Sequence, residues 1–281
     1  SDGYDELYDG AAHGLEAEVT GLTGMTITYS DSATGPFSDT SPKYTDAGTY
    51  TVYFKAVDPD GNYSDATGSA QIIIRKVEVT VTADDRSMTY GDTTTLTPAE
   101  GVTYTGFVNS ETSSVVSGTG SITYTYKDGA TVVTVDNTLD AGDYTIVPGV
   151  GGLSATNYTF VPANGKLTVD QATMEVTSDG YDELYDGAAH GLEAEVTGLT
   201  GMTITYSDSA TGPFSDTSPK YTDAGTYTVY FKAVDPDGNY SDATGSAQII
   251  IRKVEVTVTA DDRSMTYGDT TTLTPAEGVT Y

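Results

Sequence analysis

The amino-acid sequence predicts an all-β chain of tandem β-sandwich domains strung in a linear rod. Three observations predict it. Short runs rich in Thr, Val, Ile and Tyr alternate apolar with polar residues, as half-buried strands do. Gly, Pro, Asn and Asp punctuate these runs in turn-forming dipeptides. Residues 1–104 return letter for letter as residues 178–281, a fixed offset of 177 residues that marks a modular array.

Taken in order, the clearest strand is Tyr50–Val57, in which Tyr50, Val52, Phe54 and Ala56 would face a core and Thr51, Tyr53 and Lys55 would face out. Ala70, Ile72 and Ile74 line one face of the next strand, and Ile122, Tyr124 and Tyr126 one face of a later one. Asp128-Gly129 suits a tight hairpin joining 121–127 to 131–135, and Asn164-Gly165 one joining 157–162 to 166–170. No segment reads as an amphipathic helix.

A 177-residue unit is long for one sandwich and suits two. The cassette D-A-G-x-Y precedes a strand in both halves, at Asp46–Tyr50 and at Asp140–Tyr144, so the halves look like distant relatives of one fold. The expected partition is module A at 1–76, module B at 77–171, a second A at 172–253 and the start of a second B at 254–281. The first A then lacks a counterpart of Ala172–Thr177, and the last segment is too short to fold alone. The chain therefore reads as a window on a continuous array, or as one whose broken ends complete each other between chains.

In the cassette, Asp and Gly make the turn and the Tyr opens the strand. A Tyr so placed can return its hydroxyl to upstream backbone, the tyrosine corner of immunoglobulin-like domains, which assigns structural roles to Tyr50, Tyr144 and Tyr227. The B half, with VEVTVTADDRSMTYGD, GFVNSE, DAGDYTIVPG, LSATNYTF and NGKLTV, resembles the MBG-type (Mub B2-like) domain of bacterial extracellular proteins. The A half, with ELYDGAAHGL, ITYS, KYTDAGTYTVYFKA and ATGSAQIIIRK, resembles the YDG-like and immunoglobulin-like repeats found beside it. The resemblance implies immunoglobulin-like sandwich or β-grasp-like modules in a large cell-surface protein. The long 111–137 stretch departs from the pattern by lengthening the middle hairpin.

Composition narrows the functions. The net charge of -29 disfavours nucleic acid and anionic membranes, whose recognition needs clustered Lys and Arg. With no Cys, there is neither a disulfide nor thiol chemistry, and no apolar run is long enough to span a bilayer. His13 and His190 are one position seen twice, with no nucleophile marked beside them, so the chain is not expected to be an enzyme. Asp58, Asp60, Asn62 and Asp65, repeated as Asp235, Asp237, Asn239 and Asp242, put oxygen ligands at alternate positions around a Gly, a candidate Ca²⁺ loop; lying between two strands and lacking the twelfth-position Glu of a full loop, the segment reads first as a hairpin turn. Asp84-Asp85 is a second place where a cation could stiffen the A–B linker, and Asn157-Tyr-Thr159 and Asn62-Tyr-Ser64 match the glycosylation sequon. The linkers at Lys76-Val77 and Asp170–Ala172 carry no flexible spacer.

These features point to stalk or shaft repeats of a large bacterial surface adhesin or extracellular fibre. The alternatives are a glycan- or mucin-binding module acting by avidity, with exposed tyrosines such as Tyr53 as contacts, or a self-assembling filament subunit. The expected partners are neighbouring repeats of the same chain and a host glycan, mucin or surface protein. The expected location is the bacterial cell surface.

Overall fold

The computed structural model describes residues 3–92, 101–260, 262, 264–268, 270 and 279–280. The chain forms two compact units, Ser1–Asp170 and Gln171–Tyr281. Among the described residues there are strands and two 3-10 turns but no α-helix.

The first unit opens with β1 (Tyr4–Leu7), β2 (Thr26–Ser30), β3 (Gly48–Val57) and β4 (Ala66–Arg75), which form a sheet in the order β1-β4-β3-β2. The period-2 pattern of β3 and β4 sets their register, Tyr50 opposite Ile72 and Val52 opposite Ala70. Val52, Ala56, Ile72 and Ile74 are buried, while Tyr50, Phe54 and Ala70 are half-buried. β1 adds to the far edge parallel to β4, with Tyr4 opposite Ile72 and Leu7 opposite Arg75.

The chain continues through β5 (Val77–Ala83), β6 (Arg86–Thr89), β7 (Val102–Thr105), β8 (Thr123–Asp128), β9 (Thr131–Val133), β10 (Gly142–Gly149), β11 (Tyr158–Ala163) and β12 (Gly165–Asp170). They form two sheets, β11-β5-β7 and β6-β12-β10-β8-β9. Val79, Val81 and Ala83 of β5 are buried, and Met88, Ile146, Leu167 and Val169 fill the core of the larger sheet.

Of three expectations about turns, one holds and two are corrected. Asp128-Gly129 does turn a hairpin, β8 against β9, with Gly129 at a φ of 56°. Asn164-Gly165 does not. β11 pairs parallel with β5, whereas β12 pairs with β10 and β6, so this dipeptide is where the chain crosses between sheets. Gly165 is required there for close approach, because a Cβ would overlap the Ala83 carbonyl oxygen. The 111–137 stretch is not simply a longer hairpin: it carries 3-10 turns at Ser113–Val115 and Thr119–Ser121 before a short β8–β9 pair.

The second unit contains β13 (Val176–Thr177), β14 (Tyr181–Leu184), β15 (Glu195–Val196), β16 (Thr203–Ser207), β17 (Gly225–Val234) and β18 (Ala243–Arg252). The sheet β14-β18-β17-β16 repeats that of the first copy, and β13 and β15 make an added antiparallel pair. Beyond it, β19 (Thr259–Ala260) pairs with β20 (Val279–Thr280). Of the expected second B, residues 261, 263, 269, 271–278 and 281 lie outside the described residues. Val256 and Val258 are exposed, whereas their counterparts Val79 and Val81 in β5, the strand between β11 and β7, are buried; Val254 is exposed where Val77 is half-buried.

Candidate functional site: the junction of A and B

Among the described residues an extended polar and aromatic arrangement lies inside the first unit, where β4 hands over to β5 across the single residue Lys76. One apolar cluster spans the boundary. Tyr8, Leu15, Val52, Ile72 and Ile74 come from A, and Val79 and Tyr158 come from B. A and B therefore share a core, and separating them would expose side chains that each now buries in the other.

Tyr8 follows β1 and is fixed there by its N–H, which donates to the Arg75 carbonyl at 2.8 Å. Its ring meets that of Tyr158 edge to face at a centroid distance of 5.7 Å, and Phe107 packs on Tyr158 in the same manner at 5.1 Å. Both tyrosine hydroxyls end on one carboxylate of B. Tyr8 donates to Glu111 Oε1 at 2.9 Å, and Tyr158 donates to Glu111 Oε2. Burial, and next the bond to Glu111, pushes the Tyr158 hydroxyl up to about 12, and the same two causes raise Tyr8.

The loop that carries Glu111 is held in costly geometry. Asn109 and Ser110 sit at φ of 52° and 59°, the left-handed region that side chains other than glycine rarely enter. Gly10 of A, at a φ of 81°, lies against the Asn109 side chain, which a Cβ at that position would strike. Just behind this contact, His13 Nε2 is 2.8 Å from Asp9 Oδ1 and 3.2 Å from the Tyr4 hydroxyl, with its ring stacked on Tyr4. The bond to His13 and that from the Ala11 N–H hold the Asp9 carboxyl below the usual range.

A second clasp joins two sequence motifs. Asn157 Oδ1 accepts the Ala47 N–H at 2.7 Å, and its Nδ2 donates to Asp46 Oδ1 at 3.1 Å. The Asn157 carbonyl accepts the Val77 N–H at 2.9 Å, and Lys76 Nζ donates to the Ala155 carbonyl at 2.8 Å. The linker thus has its polar groups engaged on both sides. Asn157 is buried with its amide committed at both ends, so this sequon is a structural residue and not an open acceptor for glycan.

The remaining candidate residues fall as follows. The hydroxyls of Tyr50, Tyr144 and Tyr227 donate to the carbonyls of Asp46, Asp140 and Asp223 at 3.0, 2.8 and 3.1 Å. Each closes its own D-A-G-x-Y turn, and in A the same turn holds the Asp46 and Ala47 that grip Asn157. Asp58 faces its own loop. Its carboxylate accepts N–H groups from Asp60, Asn62 and Tyr63 at 3.0, 2.6 and 2.9 Å. Asp235 does the same with Asp237, Asn239 and Tyr240. Asp65 and Asp242 turn away to pair with Lys55 and Lys232. Among the described residues no three acidic or histidine side chains converge as ligands to a metal would. Asp84 and Asp85 are not at the junction: β5 carries them to its far end, where they accept from Thr103 Oγ1 and the Lys166 N–H.

The junction roles of Tyr8, Glu111, Asp46 and Asn157 were missed by sequence reasoning. The signal lay in motifs already visible, the YDG that ends ELYDG, GFVNSE, DAGTY and ATNYT, but nothing in one dimension says that they meet.

Residues 79–168 match the family described as MBG domain (YGX type). No curated protein matches the chain. Among solved structures, Sidekick-1 immunoglobulin domains 1–5 align at 11% identity and a TM-score of 0.32, covering 94% of this chain and 61% of that one. An E-to-A variant of titin domains I67–I69 aligns at 14% identity and a TM-score of 0.29, covering 90% and 96%. The human Desmocollin-1 ectodomain aligns at 11% identity and a TM-score of 0.29, covering 92% and 62%. The chain thus spans less than two thirds of the Sidekick-1 structure.

Proposed function

We propose that this chain is a section of the shaft of a large bacterial surface adhesin or extracellular fibre, in which alternating A and B modules hold length and bear load. The observation that carries the reading is the shared core at the A–B junction, with Tyr8 and Tyr158 donating to Glu111 and Asn157 clasping the D-A-G-x-Y turn. A module that needed only to tether could have a flexible spacer; here one residue separates β4 from β5. The literal repeat adds length without new chemistry, and the MBG match is consistent with an extracellular repeat module. No helix among the described residues is long and apolar enough to cross a membrane.

Strand order supports load bearing. In A, β1 pairs parallel with β4, the strand that leads into B. In B, β5 pairs parallel with β11 and β6 with the exiting β12. Tension carried through a parallel pair such as β1 and β4 pulls the two strands past one another, so their hydrogen bonds are loaded together and not one at a time. Single-molecule pulling of the chain from its two ends tests this. High-force unfolding of every module supports the shaft; low-force unzipping at a near-constant plateau counts against it.

A second reading, weak glycan or mucin binding multiplied by avidity, is favoured by one observation. A cleft of about 840 Å³ in B lies between Tyr104, Tyr124 and the hydroxyl-bearing turns at Thr112–Ser114 and Thr119. Glycan-array binding that is lost on Tyr124→Ala would favour it over a purely mechanical role.

A further inference from the structure

Each copy of A holds a pair of tyrosines stacked face over face. The rings of Tyr44 and Tyr50 have centroids 3.9 Å apart and planes 9° from parallel, and those of Tyr221 and Tyr227 have centroids 3.9 Å apart and planes 7° from parallel. Aromatic pairs settle at about 4.5–7 Å, offset or edge to face, because stacked quadrupoles repel. These pairs are closer than that, with little offset. The geometry is the same in both copies, so it belongs to A itself.

The backbone clamps each ring in place. The His13 N–H donates to the Tyr44 carbonyl and the Tyr44 N–H to the His13 carbonyl, both at 2.9 Å, and His190 and Tyr221 exchange the same two bonds. Tyr50 sits in β3 opposite Ile72, and its hydroxyl donates to the Asp46 carbonyl at 3.0 Å. Tyr227 does the same in β17, opposite Ile249 and bonded to the Asp223 carbonyl at 3.1 Å. All four tyrosines are half-buried, so one side of each stack opens to solvent. With no Cys and no Trp in the chain, phenols are the side chains that a one-electron oxidant meets first.

We propose that Tyr44–Tyr50 and Tyr221–Tyr227 are oxidative cross-linking sites, each joined as dityrosine by a haem peroxidase acting with hydrogen peroxide. Each phenol gives up one electron and its hydroxyl proton. One hydrogen peroxide takes both electrons and both protons and leaves as two waters. The two phenoxyl radicals then pair their electrons in a C–C bond between ring carbons ortho to the oxygens. The hydrogens on those carbons move to the oxygens as protons and restore both phenols, so each pair loses two hydrogens in all. Stacking supplies the proximity that makes this coupling intramolecular. In the first copy the link staples the turn whose Asp46 and Ala47 hold Asn157. The inference goes beyond the shaft reading and holds whether or not the modules bear load.

The test treats the dilute, intact 281-residue chain with a haem peroxidase and one equivalent of hydrogen peroxide per stack, then reads intact mass and maps linked peptides. The monomer should lose two hydrogens per copy of A, with the links at 44–50 and 221–227 although 22 tyrosines are present. Tyr44→Phe keeps a ring in the stack but removes the phenol. It should abolish the first link and halve the mass loss, with the second copy as internal control. In urea the selection should vanish and links scatter over other tyrosines. The proposal is overturned by no mass loss, by links only elsewhere or only between chains, by an unchanged loss in Tyr44→Phe, or by the same two links at equal yield in urea. None of these outcomes bears on the pulling geometry, so the shaft reading stands or falls separately.

Discussion

Glu111 is the residue on which the junction turns. One carboxylate takes hydroxyl donors from both modules, Tyr8 from A and Tyr158 from B. Removing it leaves two part-buried hydroxyls without that acceptor. Glu111→Ala should therefore destabilise the first unit by about 2–3 kcal/mol, and Tyr8→Phe, which removes one donor and keeps the ring, by about 1 kcal/mol. Urea unfolding of the variants checks both values, and a double-mutant cycle should show them strongly non-additive. The same cluster makes a pH prediction. The Tyr158 hydroxyl is raised from an ordinary value of 10.0 to about 12. Its stabilising contribution is fully present below pH 10. It is lost as the pH climbs from 10 through 12, because the unfolded chain ionises first. Stability of the first unit should fall across that window, and Tyr158→Phe should flatten the fall.

At the scale of elements, the loop after β3 and its copy after β17 offer a comparison at constant sequence. Asp58 and Asp235 make the same three bonds to backbone N–H groups, and in this chain Asp235 is buried while Asp58 is half-buried. Asp235→Ala should cost about 2–3 kcal/mol, and Asp58→Ala about 1 kcal/mol, since water can replace the lost partner only at the exposed loop. Thermal unfolding of the two single variants, with unit-specific hydrogen exchange, measures the difference. The strands themselves were legible from sequence: the alternation in Tyr50–Val57 and Ala70–Ile74 is the period of β3 and β4. Asn164-Gly165 was misread because its glycine serves close approach to Ala83 and not a positive φ, two needs that look alike in a sequence. The junction was illegible for a different reason. Asn157 grips Asp46 and Ala47 from more than a hundred residues away, and Tyr8 lies 103 residues from Glu111. Local pattern reports which face of a strand is apolar, and carries no information about which distant loop will meet it.

For the whole molecule, a shaft that carries load follows only if the clasp between A and B in the first unit is stiff. The high negative charge acts alongside it: like-charged modules repel, which favours extension and opposes collapse of neighbours onto one another. Residual dipolar couplings measured across residues 3–92 and 101–170 test the central claim most directly. If A and B are locked through Tyr8, Tyr158, Glu111 and Asn157, one alignment tensor will fit the couplings of both. Two tensors of different magnitude would show modules that reorient independently, and would contradict the account.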